Sequence, residues 1–261
     1  MQRIDKTKDW IKKNKLKTGV VTVLAIGLIG GGATLGIAHH KADELRTEFI
    51  QPQKADARQS DHELQKQLNY NHKVSGLNSN GQSKEGQFLA NKYQVNSKKG
   101  VTNQDYGQLM HNHNEALKAG VDKTAIGYVR VPSVGITLPI YRHTNAYTLS
   151  LGATEYFKNA AMGQGNYVLA GHNMDMANIL FSNLPNVKKG AKIKLIRGHK
   201  SYSYKVTAKK SVDPTYKANA DGTPVSSKNL LYQGSKQSKV TLFCCNAIGS
   251  KRIVVQGTLI K

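Results

Sequence analysis

Thr241-Leu242-Phe243-Cys244-Cys245 is an apolar, β-forming run that closes on two thiols. Seven positions after Cys245, Arg252 opens a second such run, Ile253-Val254-Val255. These are the only two Cys in the chain. A thiol that ends one strand, with a guanidinium that begins the next, is half of a reactive site. A free thiol has a pKa of about 8.5 and becomes a useful nucleophile at neutral pH only beside an imidazole or another positive group. His172 is the candidate for that group, because it closes the apolar run Tyr167-Val168-Leu169-Ala170-Gly171 and so also sits where a strand gives way to a loop.

Working outward, the chain beyond residue 125 is a series of short runs rich in β-branched and aromatic residues, bounded by Gly, Pro, Asn and Ser. They predict strands at 126–131, 136–141, 167–171, 192–196, 201–206, 240–243 and 252–260. That pattern is all-β and suggests a closed or nearly closed barrel. Between these strands, Met176 to Leu184 has the spacing of one short helix, ended by Pro185. Upstream, Tyr106, Leu109, Met110 and Leu117 recur at helical spacing within 103–119, which predicts a short helix packed on the following domain.

The segments Val168-Leu169-Ala170-Gly171-His172, Thr241-Leu242-Phe243-Cys244-Cys245 and Lys251-Arg252-Ile253-Val254-Val255 resemble the histidine, TLxTC and arginine motifs of the class A sortases. These are cell-wall transpeptidases of Gram-positive bacteria. The similarity extends through Ile126-Gly127-Tyr128-Val129-Arg130-Val131-Pro132, residues 136–141 and Leu149-Ser150-Leu151-Gly152-Ala153, covering most of the chain from about residue 125 onward. One position departs from the pattern: the family's Thr before the nucleophile is Cys244 here, which keeps Cys244 as the alternative to Cys245. The resemblance implies an eight-stranded sortase barrel with short helices and a catalytic set of His172, Cys245 and Arg252. It also implies an LPXTG-type sorting signal on exported surface proteins, cleaved between Thr and Gly, with the acyl group passed to the amine of a peptidoglycan precursor. Val168, Ala170 and Ile253, with Cys244, are the residues expected to line the substrate site. Residues 211–237 correspond to the loop that shapes substrate choice in the family.

Each residue also has an ordinary reading: a Cys in an apolar strand is usually inert core, a His after a strand is a surface residue, and an Arg beginning a strand is solvated. The ordered combination outweighs these. A hydrolytic cysteine peptidase and a non-catalytic, polycationic wall-binding protein remain the alternative functions.

The N-terminal part reads differently. Residues 18–38 contain no charged side chain and would span roughly 30 Å as a helix, the thickness of a bilayer core. Residues 1–17 are basic, with Arg3, Lys6, Lys8, Lys12, Lys13, Lys15 and Lys17 against Asp5 and Asp9, so the positive-inside rule keeps the N-terminus in the cytoplasm. The expectation is a single-pass anchor in the cell membrane with the catalytic domain outside. A cleavable signal peptide ending at Gly36-Ile37-Ala38 is the rival, though its apolar region would exceed the usual ~7 to 15 residues. Residues 39–104 are polar, rich in Gln, Asn, Lys and Ser, and read as a stalk. The first part of the stalk has helix-forming composition broken by Pro52. The catalytic domain is then expected at 105–261.

The net charge of +22 predicts attraction to polyanions. Nucleic acid is the weaker choice, because no RNP motif, zinc finger or reading helix is present. Adjacent Cys244 and Cys245 close no useful loop and lack the His spacing of a zinc site. Beyond residue 125 the carboxylates are Glu155, Asp175, Asp213 and Asp221, too sparse for a calcium cage. No metal or cofactor is assigned.

Overall fold

A computed structural model describes residues 42–74, 105–157, 160–214, 231 and 236–260. Eight strands form the core: β1 (Gly127–Val131), β2 (Ile136–Tyr141), β3 (Ala153–Glu155), β4 (Asn166–Ala170), β5 (Lys192–Arg197), β6 (Lys200–Val212), β7 (Lys239–Cys245) and β8 (Arg252–Leu259). They close into a barrel in the order β1-β2-β3-β4-β7-β8-β6-β5. The pairs β2–β3 and β4–β7 are parallel and the remaining pairs antiparallel. Closure leaves no strand ladder open where the barrel is complete, which is how a small all-β unit avoids unpaired edges.

Alternation fills the interior. Val129, Leu138, Ile140, Leu169, Leu195, Leu242 and Val255 belong to one inner cluster and are almost fully buried. At ~1.5–3 kcal/mol for each large apolar side chain taken from water, this cluster is the main stabilising feature of the barrel.

The seven expected strands are all present, with two differences. β3 was not expected, since three residues, Ala153-Thr154-Glu155, carry too little pattern to stand out. β6 runs six residues beyond the predicted end at 206. Beyond Val206 it pairs only with β8, across a bulge between Val206 and Ala208. A strand edge tolerates the polar sequence Lys209-Lys210-Ser211, which masked the strand in the sequence.

The helix expected at Met176 to Leu184 is absent. The chain there turns repeatedly, with positive φ at Asp175, Asn178 and Leu180. Side-chain amide oxygens hold the backbone in these turns: Asp175 N donates to Asn173 Oδ1 at 2.9 Å, and Asn178 N to Asn183 Oδ1 at 3.2 Å. A short helix not expected from the sequence, α4 (Ala146–Leu151), follows β2; Asn145 caps it and Thr148 completes a reciprocal capping box.

The largest difference from the expected organisation lies upstream. Residues 43–74, placed in the polar stalk by composition, are helical and pack on the barrel. A π-helical turn, Arg46–Ile50, leads directly into α1 (Gln51–Arg58), and α2 (Asp61–Val74) follows. Pro52 is in the first turn of α1, where its missing N–H is tolerated, so the helix continues through it rather than breaking there. Ser60 caps α2, accepting from Glu63 N while its own N–H donates to the Glu63 carboxylate. Leu64 and Leu68, one turn apart, are buried against Tyr128, Tyr141 and Ile196. Asp61 then fastens α2 by pairing with Arg130 at 2.9 Å and with Lys194. Burial pushes the Asp61 carboxyl up, but hydrogen bonds from Lys194 and Arg130 outweigh it and hold the pKa below the ordinary value.

The expected helix at 103–119 is α3 (Tyr106–Lys118), capped by Asp105. It buries Leu109, His113 and Ala116, while Leu117 stays exposed. The apolar run 18–38, expected to be the membrane anchor, lies outside the described residues, as do 75–104 of the expected stalk and most of the 211–237 loop. Among the described residues no helix is long and apolar enough to cross a membrane.

Candidate active site

β4, β7 and β8 are consecutive in the barrel, and their register decides which side chains share a face. Cys245 is the last residue of β7 and stands directly opposite Arg252, the first of β8. Ala170 lies opposite Phe243 in the parallel β4–β7 pair. The ladder continues one step, since Gly171 N donates to Phe243 O at 3.1 Å. Two residues on from the Ala170–Phe243 pair are His172, just past the end of β4, and Cys245, the last residue of β7. The outer face therefore reads, row by row, Val168–Thr241–Gln256, Ala170–Phe243–Val254, and then Cys245–Arg252 at the ends of β7 and β8, with His172 just beyond the end of β4.

The same period of two separates the thiols. Cys244 points inward, lies opposite Ile253 and belongs to the inner cluster. Its Sγ donates weakly to Phe181 O at 4.0 Å. Successive strand residues face opposite sides, so Cys244 and Cys245 cannot join without breaking the strand, and both are free. Ile253 also packs against the inner cluster. Of the four residues expected to line the substrate site, Val168 and Ala170 are on the outer face and Cys244 and Ile253 are not.

The outer-face cluster contains residues that sequence reasoning missed. Val168, Ala170, Phe243 and Val254 form its floor, with Leu149 from α4, Val212 from β6 and Leu231 around them. Tyr156 meets Phe243 edge-on, ring centroids 5.0 Å apart, and is 41% exposed. Phe243 and Val254 were within the quoted motifs, and alternation from Cys245 would have found them. Leu149 was within a quoted segment but on a helix whose position alternation does not give, and Tyr156 and Leu231 carry no such signal.

The His172 loop is held at several points. Phe181 N donates to His172 O at 2.9 Å. Asn173 Nδ2 donates to Cys245 O at 3.0 Å, tying the residue after His172 to the end of β7. Gly171 is required by a close approach, since a Cβ there would lie 2.4 Å from Phe181 Cδ2. On the other side, Arg252 Nη1 donates to Gly249 O at 3.1 Å, which fixes the guanidinium at the β7–β8 turn.

Burial sets the electrostatics. It pushes the His172 imidazole down to about 4. It also raises the Cys245 thiol above its ordinary value, an effect that Arg252 partly offsets. Cys244 is raised by burial and by the neighbouring Cys245, again offset by Arg252. The resting pair is a neutral thiol and a neutral imidazole, with Arg252 as the permanent cation. His172 Nε2 is buried without a hydrogen-bond partner among the described residues. Such an atom is free to exchange a proton with a group entering the cleft. Among the described residues no cluster of three or more His, Cys, Asp or Glu is placed to hold a metal.

Residues 129–260 match the sortase domain family model. The chain belongs to the sortase family. Sortase A of Bacillus anthracis is 35% identical over 149 residues, covering 56% of this chain and 65% of that protein. Sortase A of Listeria monocytogenes is 33% identical over 180 residues, covering 67% and 76%. These relatives set the sortase in class A. A solved structure of Listeria monocytogenes sortase A is 34% identical, covering 52% of this chain and 88% of that one, with a TM-score of 0.47.

Proposed function

We propose that this sortase is a cysteine transpeptidase that attaches LPXTG-bearing surface proteins to a peptidoglycan-precursor amine. The observation that carries this reading is Cys245 directly opposite Arg252 at the ends of β7 and β8, with the residue after His172 tied to the end of β7 through the Asn173 side chain. Cys245 Sγ gives its proton to His172 and attacks the Thr carbonyl of the sorting signal. The oxyanion that forms is stabilised by the Arg252 guanidinium. His172, now an imidazolium, protonates the departing Gly amine, and a thioester to Cys245 remains. The acceptor amine then attacks the thioester carbonyl, neutral His172 removes its proton, and the Cys245 thiolate leaves and is reprotonated. The apolar floor of Val168, Ala170, Phe243 and Val254 suits the Leu-Pro part of the signal, with Leu149 beside it.

The uncharged run 18–38 behind the basic residues 1–17 supports a single-pass membrane anchor, N-terminus in the cytoplasm and barrel outside. Membrane fractionation of the full chain against a variant lacking 1–38 tests it, and release of the full chain into the soluble fraction would count against it. For the activity, an LPXTG peptide is incubated with and without an amine acceptor. Diversion of product from free acid to amide as amine is added is the expected result; free acid alone would identify a hydrolase.

A further inference from the structure

Residues 186–212 carry nine Lys and Arg and no Asp or Glu. Folding concentrates them. In the β5–β6 ladder Lys192 stands directly opposite Lys205, and like charges so placed weaken an antiparallel pair. The turn before β5 brings Lys188 and Lys189 to the same corner: Val206 N donates to Ala191 O and Gly190 N to Val206 O, both at 2.8 Å. Lys209 folds back toward it, its Nζ donating to Pro185 O at 2.8 Å. Lys188, Lys189, Lys192, Lys205 and Lys209 are all exposed. None of them is ion-paired among the described residues, whereas Lys194, the next cation along β5, is neutralised by Asp61.

Lysines on an unpaired strand edge guard against strand addition, which accounts for Lys209 and Lys210. It does not account for Lys188, Lys189 or the opposed Lys192 and Lys205 within the ladder. A charge cluster that weakens its own sheet calls for an anionic partner. The corner lacks what two common polyanionic partners require. The exposed large apolar side chains among the described residues are Tyr70, Leu117, Tyr156, Met176, Ile248 and Ile260, none of which lies within 186–212. Among the described residues the segment thus offers no exposed aromatic platform for the bases of a single strand, and the one exposed apolar side chain beside it, Ile260, whose N–H donates to Ser203 O, is too small an apolar surface to seat the corner in a bilayer. We propose that this corner binds a linear polyphosphodiester of the poly(glycerol phosphate) type, through charge alone and independently of the catalytic row.

The test is binding of the full chain to labelled poly(glycerol phosphate) over a range of salt. The patch variant carries Lys188→Gln, Lys189→Gln, Lys192→Gln and Lys205→Gln; a control with Lys54→Gln, Lys66→Gln, Lys73→Gln and Lys123→Gln loses the same net charge. The patch variant is expected to bind about tenfold or more weakly at physiological salt, with the slope of log affinity against log salt flattened by about 3, while the control changes by less than about twofold. Arginine at the same four positions is expected to keep binding. Should the fourfold Gln variant fail to fold, Lys192→Gln with Lys205→Gln is expected to halve the change in slope and to raise Tm, since it removes the opposed charges. Equal losses in patch and control, or an unchanged slope, would overturn the site. Tighter binding to phosphatidylglycerol vesicles or to a single-stranded oligonucleotide than to the polymer would overturn the partner.

Discussion

Cys245 and Arg252 stand directly opposite one another across the β7–β8 ladder, while Cys244 and Ile253, one step inward, face the barrel interior. The strand period therefore separates two neighbouring thiols into one beside a permanent cation and one in the core. Cys244→Ala is expected to keep most transfer activity and to lose ~1 kcal/mol of stability from its buried position. Steady-state amide formation and chemical denaturation together check this; loss of activity in a stably folded Cys244→Ala variant would point to the inner thiol.

Gly171 is pinned by the Phe181 ring, which lies where a Cβ would go. Gly171→Ala must displace Phe181, whose N–H holds the His172 carbonyl. The expected outcome is about 1–3 kcal/mol of lost stability with a fall in kcat larger than any change in KM. Kinetics on the folded variant separate the two effects.

His172 also titrates against stability. Its folded pKa of about 4 lies below the ordinary 6.5, because burial disfavours the charged ring. The unfolded chain binds the extra proton between these values, so this contribution is fully present above pH 6.5 and is lost as pH falls through 4. The size is ~3 kcal/mol. His172→Asn is expected to flatten the rise of Tm with pH across that window, and an unchanged rise would contradict it.

Asp56 acts with the opposite sign. Burial raises its carboxyl to about 6, with Arg130 offsetting part of the effect. A raised carboxyl contributes stability that is present below pH 3.8 and lost as pH rises through 6. Asp56→Asn is therefore expected to be more stable than the parent at pH 7 by ~1–2 kcal/mol, with the difference vanishing below pH 4. Denaturation at pH 3.5 and pH 7 decides it.

The barrel was legible because its strands are short runs rich in β-branched and aromatic residues, most of them bounded by Gly, Pro, Asn or Ser. The catalytic candidates were legible because their types and order are unusual together. What stayed hidden had physical reasons. Residues 43–74 looked like stalk because Leu45 with Phe49, and Leu64 with Leu68, are isolated i, i+4 pairs in polar surroundings, and two such pairs suffice once a barrel face covers them. Met176 to Leu184 had helical spacing, but its backbone turns through positive φ at Asn178 and Leu180, with Asn178 N held by the Asn183 side chain. Ile253 was assigned to the groove by its place in a motif, although counting from Arg252 sends it inward.

α2 is fastened to the barrel by Asp61, whose carboxylate serves both Arg130 and Lys194. Asp61→Ala leaves both cations without it, at a cost of about 1–2 kcal/mol at these part-buried positions. Faster hydrogen exchange in α2 than in β7 is the expected signature, and uniform exchange across both would refute the anchoring role.

The most direct measurement is intact-mass spectrometry of the Cys244→Ala and Cys245→Ala variants after exposure to an LPXTG peptide without an amine acceptor. The account predicts a mass increase equal to the acyl fragment on the variant that retains Cys245, discharged when an amine is added, and none on the variant that lacks it. An adduct carried by Cys244, or none on either variant, would contradict it.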